Sequence, residues 1–148
     1  MDKIFMKKAL EEAKEAFFKG EVPVGAVIVR NNEIISYAHN LRETLNDPTA
    51  HAEILAIRQA SKKLNNWRLT GCEMYVTLEP CPMCAGAIFQ SRLRRVVIGT
   101  SDITTGSCGS ILNIVQNNSF NHYVEINWAY NKECSDIISE FFRNRRHR

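Results

Sequence analysis

The sequence predicts an α/β fold, a layered sheet covered by helices. Segments with helical periodicity alternate along the chain with segments of strand character. No repeat, low-complexity stretch or linker interrupts them, so the 148 residues read as one domain, 1–148. Hydrophobic residues make up 45% of the chain, enough for a proper core.

Each element has its own signal. Residues 3–19 suit an amphipathic helix, because Met6, Leu10, Ala13 and Phe17 recur at helical spacing. Gly20 stops it. Residues 22–29 form an apolar, β-rich run, and Asn31-Asn32 is a hairpin turn into a second strand at 34–38. Asp47-Pro48 then announces a helix, with Asp47 as N-cap and Pro48 in the first helical position. That helix runs to about residue 64 and carries His51 and Glu53 near its start. Residues 74–78 read as a buried strand, which Pro80 ends. Pro80 also opens the next helix, bearing Cys81, Cys84, Ala87 and Ile88. Further strands are expected at 96–99 and 123–128. Between them, 104–109 is a Thr, Ser and Gly-rich loop, followed by a short helix near 110–115. The last helix spans 132–145, with Cys134, Ile137, Ile138 and Phe141 as its inner stripe.

Composition narrows the functional classes. No apolar run approaches the ~20 residues that span a bilayer. Residues 1–8 hold no apolar stretch before a small-residue cleavage site. A soluble, cytoplasmic protein without a membrane partner is the expectation. Five cysteines, an odd number and without a secretion signal, argue against a disulfide framework. Cys72, Cys108 and Cys134 read as small buried hydrophobes. Nineteen Lys and Arg stand against 16 Asp and Glu, a net charge of +3. Arg143, Arg145, Arg146 and Arg148 supply the excess, since without them the balance is 15 against 16. The basic end at about 141–148 is either a polyanion contact or a solvated helix end whose arginines complement the helix dipole.

The chemistry lies in His51-Ala52-Glu53 and Pro80-Cys81-Pro82-Met83-Cys84. Cys81 and Cys84, three apart at a helix start, share a face and can grip one ion. The helix N-terminus helps hold both as thiolates. With His51 they give three nitrogen and sulfur ligands of the kind zinc prefers, leaving a fourth position open, the mark of a catalytic site. Two thiolates and an imidazole leave the ion little net charge, so it gains from a neighbouring base. Glu53, two residues from His51, is that base and not a fourth ligand. His-x-Glu followed by Pro-Cys-x-x-Cys is the general signature of zinc-dependent nucleobase deaminases.

Beyond that motif, Glu21-Val22-Pro23-Val24-Gly25-Ala26-Val27, Asn46-Asp47-Pro48-Thr49-Ala50-His51-Ala52-Glu53 and Tyr75-Val76-Thr77-Leu78-Glu79-Pro80-Cys81 carry a wider resemblance. So do Arg95-Val96-Val97, Thr105-Gly106 and Phe141-Phe142-Arg143. Over nearly its whole length the chain resembles the bacterial tRNA-specific adenosine deaminases. The zinc motif is shared with cytidine, cytosine and guanine deaminases. The segment 94–110 and the Phe-Phe-Arg-x-Arg-Arg tail are what turn the resemblance toward the tRNA enzymes. It implies a three-layer, cytidine-deaminase-like fold with a five-stranded mixed sheet flanked by helices, and a homodimer with one Zn2+ per subunit. It implies hydrolysis of adenosine to inosine at the wobble position of a tRNA anticodon loop. By matched position His51, Cys81 and Cys84 hold zinc and Glu53 shuttles protons. Asn40 contacts the target nucleoside, Asp102 lies near its sugar-phosphate, and Phe142, Arg145 and Arg146 meet the anticodon loop. Trp128-Ala129-Tyr130 is assigned no role by the resemblance. Two competing readings are a deaminase of a free base or nucleoside, such as guanine or cytosine, and a non-catalytic, zinc-stabilised RNA-binding module.

Overall fold

The computed structural model describes residues 1–146, the side chain of Arg146 excepted. Nine elements follow in the order α1 (Asp2–Phe18), β1 (Gly25–Arg30), β2 (Glu33–His39), α2 (Ala52–Leu64), β3 (Glu73–Leu78), α3 (Pro82–Gln90), β4 (Arg95–Thr100), β5 (Glu125–Trp128) and α4 (Lys132–Arg146). The strands make one five-stranded mixed sheet in the order β2-β1-β3-β4-β5. β1 pairs antiparallel with β2 and β3, whereas β3, β4 and β5 run parallel. The β1–β2 hairpin turns on Asn31 and Asn32, both in the left-handed region at φ 51° and 62°, as a two-residue turn of this hand requires.

Strand alternation divides the core in two. Ala26, Ile28, Met74, Val76, Val96 and Ile98 face α2 and α3. Val27, Val29, Tyr75 and Val97 face α1 and Cys134 of α4. On α2, Ala52, Ala56 and Ala60 recur four apart and are fully buried, so this helix lies close against its sheet face. On the other face α1 approaches β1 so closely that a Cβ on Gly25 would overlap the Ala9 carbonyl. The five cysteines are free, and Cys72, Cys108 and Cys134 are buried, as the sequence predicts. Among the described residues no helix is long and apolar enough to cross a membrane.

Two strand starts and one expected helix differ from the sequence reading. β1 starts at Gly25, because the preceding residues 22–24 close their own turn, Val24 N–H to Val22 carbonyl at 2.9 Å. β5 starts at Glu125, two residues late. The helix expected at 110–115 does not form. The buried Glu79 carboxylate accepts the backbone N–H groups of Cys108 and Ser110, at 3.0 and 3.1 Å. Gly109 turns at φ 137°, and a Cys108–Asn113 bridge closes the segment. Tertiary hydrogen bonding overrides local helical preference there.

Candidate active site

Two helix starts converge on one cleft. His51 is the N-cap of α2 in extended backbone, φ −76° and ψ 152°, and Cys81 is the N-cap of α3, φ −72° and ψ 175°. A cap residue ordinarily turns its side chain back onto the helix's unpaired N–H groups. Neither does so here, and both turn toward each other instead. The placement of these caps corrects the sequence reading. Asp47 closes a separate turn, accepting the Thr49 N–H at 2.8 Å and the Thr49 hydroxyl at 2.8 Å. Extended His51 then separates that turn from α2. Likewise Pro82 opens α3. Pro80 instead offers its carbonyl to Ser107 N–H at 2.9 Å.

The ligand triangle is tight. His51 Nδ1 lies 3.6 Å from Cys81 Sγ and 3.4 Å from Cys84 Sγ, and all three donor atoms lie within 4.8 Å of one another. Zinc bonds of ~2.3 Å to sulfur and ~2.05 Å to nitrogen at a tetrahedral angle put N and S about 3.6 Å apart. The donor set and its spacing therefore fit zinc. Cys81 and Cys84 are hydrogen-bonded to each other. The hydrogen bond with Cys84 brings Cys81 down to about 4, and the same bond, with burial, pushes Cys84 up.

Glu53 sits one helical position beyond Ala52 and is 4% exposed. Burial pushes its carboxyl up to about 7, and the neighbouring Cys81 adds to the rise. A carboxyl in that range both takes and gives protons near neutral pH. His51, Glu53 and Cys81 line a cavity of about 120 Å³ with Asn40, Asp102 and Val22. That is well below the ~300–1,000 Å³ of drug-sized sites. Asn40, 6% exposed, is fixed by Arg42 N–H to its Oδ1 at 3.0 Å and by its Nδ2 to the Val22 carbonyl at 3.3 Å. Although burial opposes it, hydrogen bonds from Thr104 and Thr105 hold Asp102 below the usual carboxylate range.

The structure thus brings His51, Glu53, Cys81, Cys84, Asn40 and Asp102 together. It places the tail beside the cavity and not in it. Arg145 donates to the Gly20 carbonyl at 3.1 Å and stacks over Phe141 at 4.7 Å. Gly20 lies two residues before Val22 on the cavity wall. Phe142 is 43% exposed and meets Phe141 edge-on at 5.4 Å. The Arg146 side chain and Arg148 lie outside the described residues. Sequence reading missed Arg42, Glu79 and Thr105 as lining residues. Glu79, an acid directly before Pro80-Cys81, was the one with a visible signal.

Comparison with known proteins agrees. The family of MafB19-like deaminases matches residues 1–146. The tRNA-specific adenosine deaminase of Bacillus subtilis (strain 168) is 51% identical over 146 residues, 98% of this chain and 91% of the relative. A solved structure from work on A-to-I editing by tRNA:A34 deaminases at the wobble position superposes with a TM-score of 0.88. It is 40% identical, over 91% of this chain and 99% of that one. A guanine deaminase from Bacillus subtilis is 44% identical, but over 67% of this chain and 64% of that one, with a TM-score of 0.64. By sequence, fold and site, the chain belongs to the tRNA-specific adenosine deaminases.

Proposed function

We propose that this chain hydrolyses adenosine to inosine and ammonia at the wobble position of a tRNA anticodon, using zinc held by His51, Cys81 and Cys84. The observation that carries this is the ligand triangle with buried Glu53 beside it, on the wall of a small cavity. Zinc in that triangle would supply Lewis acidity, making water nucleophilic near neutral pH. Glu53 takes the water's first proton and delivers it to the adenine ring nitrogen as the oxygen adds at C6, then carries the second proton from the new hydroxyl to the C6 amine, which leaves as ammonia. Burial keeps Glu53 away from competing bulk water. Asn40, its amide already oriented by Arg42 and Val22, holds the nucleoside, and Asp102 at the mouth meets its sugar-phosphate. A loop nucleotide can be splayed into so small a cavity at lower cost than a stacked duplex base.

We infer also that Phe142 stacks on a loop base and that Arg145 and Arg146 meet phosphates. A homodimer fits the exposed Ile103, Ile111, Leu112, Phe120 and Tyr123, which fall within one stretch of chain. Sedimentation at twice the 16.9 kDa chain mass supports the dimer, and the single mass rejects it. A cytoplasmic place of work fits a tRNA substrate.

The test is to incubate pooled tRNA with the pure protein and sequence it. Adenosine-to-inosine change at the first anticodon position is the expected result. Ammonia from free guanine with unchanged tRNA would move the assignment to a free-base deaminase. RNA binding without ammonia from any substrate would leave only a zinc-stabilised binding module.

A further inference from the structure

Glu79 ends β3 and directly precedes the ligand segment Pro80-Cys81. It is 2% exposed, and among the described residues no Lys, Arg or His lies within ion-pair distance of it. Hydrogen bonds alone satisfy this buried anion. Oε1 accepts Asp102 N–H at 3.0 Å and the Ser110 hydroxyl, and Oε2 accepts Cys108 N–H at 3.0 Å and Ser110 N–H at 3.1 Å. Four donors match the roughly four lone-pair sites of a carboxylate. All four come from one loop, residues 101–110. Gly106 lies against the carboxyl group so closely that a Cβ there would overlap both it and the Asp102 carbonyl. Ser107 N–H to the Pro80 carbonyl, at 2.9 Å, adds a further tie between the loop and the ligand segment.

The same loop puts Asp102 and Thr105 on the cavity wall. We propose that Glu79 is a positioning residue for substrate: it clamps loop 101–110 to the metal-ligand segment and so sets where Asp102 and Thr105 meet the RNA nucleotide. This rests on the reading of the cavity as the nucleotide site. The clamp requires two acceptor oxygens. Gln has the same size but one oxygen, and its amide NH2 would face the Asp102 N–H in one orientation and the Cys108 and Ser110 N–H groups in the other, so at least one loop donor loses its acceptor. Asp is a methylene shorter and cannot bring both oxygens to the loop.

The experiment is Glu79→Gln, with zinc content, kcat and KM on an anticodon stem-loop RNA, and amide hydrogen exchange. Zinc per chain stays at the wild-type level. KM rises by about tenfold or more, the scale of losing hydrogen bonds to a charged group. The amides of Asp102, Cys108 and Ser110 exchange faster, while those of β3 do not. Wild-type KM, or activity lost only in proportion to zinc, overturns the proposal. If Glu79→Gln does not fold, Ser110→Ala removes one donor and leaves the carboxylate. It should raise KM about threefold at full zinc, and an unchanged KM overturns the clamp. In an Asp102→Ala background Ser110→Ala should add less to KM than it does alone, because part of its effect runs through Asp102. Full additivity overturns the route through Asp102. Should the wild-type protein leave every tRNA unchanged, the functional reading fails. The exchange rates of the loop amides in the variants then still decide the clamp.

Discussion

Glu53 is an acid that the fold keeps out of water, and its effect on rate should be separable from its effect on structure. Glu53→Ala removes a proton carrier while leaving His51, Cys81 and Cys84 in place. Its zinc content should match the wild type, while kcat falls by about a thousandfold or more. Near-normal turnover would reject the proton-shuttle role, and is read by ammonia release. At this scale the sequence was informative about residue types and less so about their backbone. His51 and the two cysteines were legible from the combined His-x-Glu and Pro-Cys-x-x-Cys signature, neither half of which is specific by itself. That His51 and Cys81 sit just outside their helices was not, because Asp47-Pro48 and Pro80 are stronger capping signals than the residues that finally take those positions. Turning Nδ1 and Sγ toward one point requires extended backbone at both, and that requirement lives in tertiary space.

Among the elements, α1 and β1 come into close backbone approach at Gly25. Gly25→Ala would drive a methyl group into the Ala9 carbonyl and to 2.7 Å from Ala13 N. Both atoms are backbone, so α1 must shift as a body. A loss of about 3 kcal/mol or more is expected in denaturant unfolding, the upper end for overpacking. A loss below 1 kcal/mol would show that α1 shifts freely. The loops that wall the cavity depend instead on carboxylates. Glu21, 1% exposed, accepts Glu43 N–H at 3.0 Å and Thr44 N–H at 2.6 Å. Burial alone would raise its carboxyl, but these bonds hold it below the ordinary 4.5. A depressed folded value means that this stability is complete above pH 4.5 and is lost as pH falls through the lowered value. Asp102 behaves alike below its ordinary 3.8. Glu21→Gln should therefore flatten the acid limb of melting temperature against pH below about 4.5. An acid limb as steep as the wild type's would show that Glu21 does not control it. The helices and strands were visible in the sequence because periodicity is local. The 101–116 segment was misread as part helix because what shapes it, the Glu79 carboxylate, lies more than twenty residues away in the chain.

In the whole molecule, His51, Glu53, Cys81, Cys84, Asn40 and Asp102 gather at one end of the sheet. The starts of α2 and α3, the ends of β2, β3 and β4, and the turn after α1 all meet there. Arg145, tied to Gly20, brings the end of α4 to the same side. The charge run leaves two readings of the tail open, a polyanion contact and a solvated helix end, and Arg145 is the tail arginine whose side-chain contacts bear on them. Replacing Arg145 and Arg146 together by Ala should weaken stem-loop binding and lower its salt slope by about 1 to 2. An unchanged slope would make Arg145 a strut for the α1 turn and nothing more.

The ligand triangle has one more consequence. His51 and Cys81 stand thirty residues apart in the chain, and Cys81 and Cys84 belong to a different helix start from His51. An ion shared by all three is a reversible cross-link in a protein whose cysteines form no covalent one. The unfolded chain, lacking the preformed triangle, would hold the ion poorly, so zinc bound there would pull the folding equilibrium by mass action. The abundance of this protein in a cell should then track the supply of a trace metal. Scarcity would be felt first by the protease that finds the loosened cleft.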